Sequence, residues 1–157
     1  MKNDKTRQTG EPSGPALQGQ TRQPPRVLVV DDEPTIRRLN AKMLLDAGYN
    51  VDAVEDGAVA WDALQVKKYD LLITDNNMPK VSGVELIEKV RAAGMSLPVI
   101  MATGALPNEG FSRQGRLRPA ATLLKPYTLA EFLGTVATVL CGTVLTAMLL
   151  LCLPISL

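Results

Sequence analysis

Short apolar runs that end at polar or acidic side chains alternate along this chain with stretches of helical periodicity. Residues 1–25 are Gln, Gly, Pro, Thr and charged side chains with almost nothing to bury, the composition of a disordered polar arm. Arg26-Val27-Leu28-Val29-Val30 is a continuous apolar run of the kind that fills a central parallel strand, and it stops at Asp31-Asp32-Glu33-Pro34. Pro34 suits a first helical turn, and acidic side chains suit its positive end. Ile36, Leu39, Met43, Leu44 and Ala47 then mark one helical face, which Gly48 closes. Asn50–Glu55 reads as a second strand, with alternating apolar residues at Val51 and Ala53. After Gly57 a helix is expected to bury Val59, Ala60, Ala63 and Leu64. Asp70–Thr74 is a third strand, followed by a helix from about Gly83 with Leu86, Ile87 and Val90 inward. Leu97–Ala102 is a fourth strand and Thr122–Leu124 a fifth. A last helix starts at Thr128, its N-cap, and buries Leu129, Phe132, Leu133 and Val136.

The order βαβαβαβ, an irregular stretch, then βα predicts an α/β fold. Its parallel sheet is doubly wound, with helices on both faces. Ligands of such sheets bind at the carboxyl ends of the strands. The domain reading is an arm over 1–25, a folded domain over 26–140 and an apolar tail over 141–157.

Composition narrows the chemistry. A net charge of +1 over 157 residues makes no electrostatic case for nucleic acid. Histidine is absent, which removes His-based catalysis and His-containing zinc sites. Cys141 and Cys152 sit in the apolar tail and form neither a disulfide framework nor a metal-ligand pattern. The first residues lack the apolar stretch of a signal peptide, so a cytoplasmic location is expected.

What remains is concentrated at four strand ends. The first carries Asp31 and Asp32, the third Asp75, the fourth Thr103 and the fifth Lys125. Each has a plain structural role available: a helix cap for the aspartates, a turn for Thr103, a surface lysine with a buried stem for Lys125. Their convergence on one sheet edge argues for a site. Close carboxylates repel by up to about 4 kcal/mol per pair at an effective dielectric near 20. Oxygen ligands with room for water suit Mg²⁺, which binds through one or two carboxylates plus a phosphate. Lys125 adds a point charge and Thr103 a hydroxyl, the groups that phosphoryl oxygens want. Aspartate is a known phosphoryl acceptor.

These motifs resemble the receiver domain of two-component response regulators. The resemblance covers about Arg26 to Leu140. It rests on Val27-Leu28-Val29-Val30-Asp31-Asp32-Glu33-Pro34, Asp75-Asn76-Asn77-Met78-Pro79 with Gly83, Ala102-Thr103-Gly104, and Leu124-Lys125-Pro126-Tyr127. It implies a flavodoxin-like, CheY-like sheet of five strands in the order 2-1-3-4-5. It implies Asp75 as phosphoacceptor and Mg²⁺ held by Asp32, Asp75 and the backbone carbonyl of Asn77, with Asp31 holding a metal-bound water. Thr103 would bond the phosphoryl oxygen. Lys125 would pair with the phosphoryl group, before a cis peptide to Pro126. The donor would be a sensor histidine kinase or a histidine phosphotransfer protein. The domain would catalyse only its own phosphorylation and dephosphorylation, and would signal by phosphorelay or by docking onto a downstream protein partner.

Two positions depart from the family pattern. The aromatic residue usual three before the lysine is Thr122 here. Residues 105–120, where a fourth helix would lie, contain Pro107, Gly110, Gly115 and Pro119, which oppose a long helix. Arg113, Arg116 and Arg118 lie in that stretch and are a candidate partner-contact set. These departures keep open an alternative, a phosphorylation-independent pseudo-receiver that acts as a binding module. A hydrolase acting on a separate phosphorylated substrate would need a cap, and no long insertion supplies one.

The remainder of the chain reads as a stand-alone receiver with a tail. Phe132–Leu157 carries no charge. Cys141–Leu157 lies at the lower limit of about 17–25 residues for a membrane span, and Pro154 shortens any helix there. Gly134, Thr138, Gly142 and Thr146 recur every four residues, a stripe suited to helix packing. Membrane association at the inner face, an extended helix buried in a homo-oligomer or against its own domain, and a tail without a role all stay open at this point.

Overall fold

The computed structural model describes residues 23–104 and 118–151, with side chains up to Thr143. Five strands form one parallel sheet: β1 (Arg26–Val30), β2 (Asn50–Val54), β3 (Leu71–Asp75), β4 (Val99–Thr103) and β5 (Ala121–Leu124). Their spatial order is β2-β1-β3-β4-β5. The helices among the described residues are α1 (Pro34–Asp46), α2 (Gly57–Val66), α3 (Gly83–Ala92) and α4 (Leu129–Leu151). This is the doubly wound arrangement that the alternation of patterns predicts, in the flavodoxin-like strand order that the family resemblance implies.

The continuous apolar runs have a direct cause. β1, β3 and β4 are covered on both faces, so neighbouring side chains enter opposite cores. Leu28, Val30, Leu72, Val99 and Met101 pack with Ala60, Leu64, Leu86, Ile87 and Val90 of α2 and α3. Val27, Val29, Leu71, Ile73, Ile100 and Ala102 pack with Leu44 of α1 and Phe132 and Val136 of α4.

Helix ends follow local chemistry. Glu33, rather than Asp31 or Asp32, caps α1 by accepting from the backbone N–H groups of Thr35 and Ile36 at 3.0 and 2.9 Å. Ser82 and Glu85 form a capping box at α3. Thr128 and Glu131 make the same reciprocal pair before α4.

Several inward assignments are corrected. Leu39 is 52% exposed and Leu129 55% exposed, and Val59 and Ala47 are exposed as well. Periodicity finds a helix's apolar stripe, but the sheet covers only an arc of it. On α1 that arc centres on Asn40 and Leu44, and Asn40 is polar. Strand ends shift by a residue or two, and Asp75 is itself the last residue of β3.

α4 runs through residue 140 without a break and is continuous to Leu151. Among the described residues no helix is long and apolar enough to cross a membrane. Residues 1–22, 105–117 and 152–157 lie outside the described residues, and with them Arg113 and Arg116. Arg118 is described and exposed.

Candidate phosphoacceptor site

The register of the sheet assembles the site. Val30 of β1 pairs with Thr74 of β3, so Asp31 and Asp75 follow at the same level. Asp75 pairs with Ala102 of β4, which places Thr103 one residue further on. Thr103 pairs with Leu124 of β5, and Lys125 comes next. The Lys125 backbone N–H donates to the Thr103 carbonyl at 2.8 Å. Residues up to 94 positions apart in sequence thus meet because parallel strands end at one edge.

Asp31, Asp32 and Asp75 each offer a carboxylate oxygen within 4.8 Å of the others. Asp31 is 2% and Asp75 8% exposed, whereas Asp32 faces solvent. Lys125 Nζ lies 3.0 Å from Asp31 Oδ2 and 3.4 Å from Asp75 Oδ1. Thr103 is buried at the end of β4, beside this group in register. Asn77 is exposed in the loop after β3, two residues beyond Asp75. The Lys125–Pro126 peptide is cis.

Electrostatics follow from burial. Loss of water pushes the Asp75 carboxyl above its ordinary value, while the Lys125 charge and the Asn76 backbone N–H, which donates to Oδ1 at 2.8 Å, oppose the rise. Burial works against the Lys125 charge, but the hydrogen bond to Asp31 and the charges of Asp31 and Asp75 outweigh it. The ammonium is held above its usual value.

The loop between β3 and α3 is fixed from two sides. Gly83 lies against the Asp75 carbonyl so closely that a Cβ would collide with it, and would meet Asn76 Cα at 3.0 Å. Lys80, at φ +65°, ties the loop to α2 by a 2.6 Å ion pair with Asp56, the α2 N-cap.

Comparison with known proteins agrees with this geometry. A family model, the response regulator receiver domain, matches residues 27–137. The chain belongs to the response regulator receiver domain family. It is 41% identical over 113 residues to response regulator RppA of Synechocystis, covering 69% of this chain and 47% of RppA, so it spans about half of that relative's length. The chemotaxis response regulator CheY4 of Vibrio cholerae superposes with a TM-score of 0.68 at 31% identity, over 74% of this chain and 98% of that one. Response regulator TrrA of Thermotoga maritima, solved in complex with Mg²⁺ and BeF, gives 0.65 at 30% identity, over 73% and 98%.

Two features of this receiver escaped sequence reasoning. Asn40 is buried on α1 and pairs with the Tyr127 hydroxyl. Arg37 reaches back from α1 to donate to the Asp31 carbonyl at 2.7 Å. A polar residue inside an apolar period was the only available signal for the first.

Proposed function

We propose that this receiver is a Mg²⁺-dependent phosphoacceptor switch, phosphorylated on Asp75 by a sensor histidine kinase or a histidine phosphotransfer protein. The observation that carries the reading is the group Asp31, Asp32 and Asp75 within 4.8 Å, with Lys125 between the two buried carboxylates. Such a group is costly unless something cationic occupies it. Three carboxylates against one ammonium leave an excess that one divalent cation matches.

The donor set fits Mg²⁺, because hard carboxylate oxygens with an open side suit its oxygen coordination and retained waters. Asp32, Asp75 and the Asn77 carbonyl would hold it, with Asp31 acting through water. When bound, the ion supplies charge neutralisation for the transferring phosphoryl group. An Asp75 carboxylate oxygen attacks phosphorus while the phosphorus–nitrogen bond of the donor histidine breaks. The electron pair leaves with the imidazole. Lys125 pairs with a phosphoryl oxygen, and the Thr103 hydroxyl donates to another. Water attack on the acyl phosphate reverses the state. The related TrrA was solved in complex with Mg²⁺ and BeF, which supports this reading.

The chain acts in the cytoplasm and passes its state to a downstream protein by docking or relay. Thr122 is exposed on β5 and carries no ring, so the signal travels without an aromatic rotor at this position. Membrane fractionation of the full chain beside a form ending at Leu140 tests the role of the apolar tail: loss of pelleting on truncation assigns it to a membrane.

Intact mass after Mg²⁺ and acetyl phosphate tests the central claim. One added phosphoryl group is expected, absent in Asp75→Asn and absent in EDTA. No addition across a range of donors and metal concentrations would leave the pseudo-receiver reading in its place.

A further inference from the structure

Helix α1 touches both halves of the site. At Arg37 its guanidinium donates to the Asp31 carbonyl at 2.7 Å and reaches the Asp32 carbonyl at 3.4 Å. Almost one turn later, Asn40 meets Tyr127, the second residue after Lys125. The Asn40 amide donates to the phenol oxygen at 3.0 Å, and the phenol hydroxyl donates to the amide oxygen at 3.2 Å. Asn40 is 2% exposed and shares the buried face of α1 with the apolar Leu44. A buried amide without partners is costly, so the pair is held firmly once formed.

The phenol is fixed from its other side too. The Tyr127 ring stacks on Phe132, with centroids 5.5 Å apart and planes 12° from parallel. Phe132 is wholly buried in the α1/α4 core. Tyr127 therefore joins α1, α4 and the β5–α4 loop at one point. A cleft of about 340 Å³ lined by Ile36, Leu39, Asn40, Lys125, Pro126 and Tyr127 runs between α1 and the loop. Without an anchor the loop is free to move into it, and the Lys125 ammonium would move with the loop.

We propose that Asn40 is a positioning residue. Through Tyr127 it holds the β5–α4 loop against α1, so that Lys125 stays between Asp31 and Asp75. The proposal rests on the phosphoacceptor reading for its kinetic consequence, but not for its structural one. Misplacing a catalytic group by about 1 Å costs on the order of 10²-fold in rate, and a loosened loop shares part of that loss.

The test uses the full chain and three variants: Asn40→Leu, Tyr127→Phe and the double variant. Each single change strands one polar partner and lowers the urea midpoint. The double change removes both partners, keeps the ring on Phe132 and restores the midpoint. Phosphorylation by acetyl phosphate in Mg²⁺ is then followed by intact mass, as Asp75 attacks phosphorus and acetate leaves. The expected result is a rate lowered about tenfold in the double variant despite its recovered stability, with Mg²⁺ affinity unchanged. A double variant that recovers rate together with stability would reduce the pair to packing and overturn the proposal. A second readout needs no phosphate. In ¹⁵N NMR the Lys125 ammonium signal of the metal-free double variant is expected to move toward that of an exposed lysine. An unmoved signal overturns the proposal even if the wild-type chain takes no phosphoryl group, an outcome that would separately sink the phosphoacceptor reading.

Discussion

The Lys80 ammonium lies 2.6 Å from the Asp56 carboxylate, and Asp56 is also the N-cap of α2. One buried carboxylate thus closes a helix start and pins the loop that follows Asp75. The Lys80 hydrogen bond and the Val59 backbone N–H hold the Asp56 carboxyl below its ordinary value of 3.8. The bond to Asp56 holds Lys80 above 10.5. A lowered acid stabilises the fold above its unfolded value and loses that contribution as pH falls through its folded one. A raised base stabilises below its unfolded value and loses it as pH rises through its folded one. The pair therefore stabilises the chain across the whole neutral range. Lys80→Ala loses the ion pair and keeps the left-handed backbone strain, whereas Lys80→Gly loses the pair but relieves the strain. Urea midpoints are expected in the order wild type, Lys80→Gly, Lys80→Ala. Gly above wild type would show that the ion pair contributes less than the strain costs.

Asp75 should behave in the opposite sense. Burial raises its carboxyl above 3.8, against the pull of Lys125. The folded state then binds the proton more tightly than the unfolded chain, so metal-free stability from this group falls as pH rises through the raised value. Asp75→Asn removes that charge and should be more stable than wild type in EDTA at neutral pH. Mg²⁺ at a hundred times its Kd should stabilise the wild type by about 2.7 kcal/mol and the variant by much less. Equal responses to Mg²⁺, read from paired urea titrations, would remove Asp75 from the metal site.

Gly83 separates close approach from conformational freedom. A Cβ there collides with the Asp75 carbonyl, so Gly83→Ala should cost about 1–3 kcal/mol and slow acetyl phosphate transfer by displacing Asp75. Gly48 stands at φ +89° with open space around it, so Gly48→Ala should cost about 1 kcal/mol with transfer unchanged. Stopped-time phosphorylation assays beside urea melts distinguish the two effects.

Phe132 and Leu129 test the burial assignments on α4. Phe132→Ala opens the core beneath Tyr127 and should cost about 3–5 kcal/mol. Leu129→Ala removes an exposed side chain and should stay within about 0.5 kcal/mol of wild type. A large loss at Leu129 in dilute solution would mean that this face is covered, which a sedimentation measurement would then show.

The sequence by itself determined the sheet, the order of its elements and the set of strand-end groups. Continuous apolar runs suit strands covered on both faces, and Asp31, Asp75 and Thr103 end such runs, while Lys125 ends the edge strand β5. Only the tertiary structure decided what depends on distant partners. Glu33 takes the cap of α1 and leaves Asp31 and Asp32 to face Asp75, because the helix starts at Pro34, three residues after the acidic cluster begins. Leu39 and Leu129 share the helical period of buried residues yet lie outside the arc the sheet covers. Asn40 looks like a break in an apolar face until Tyr127, 87 residues away, supplies its partner. Local propensity and periodicity act over one or two turns of chain, whereas burial and polar pairing are set by whichever surface the fold brings opposite.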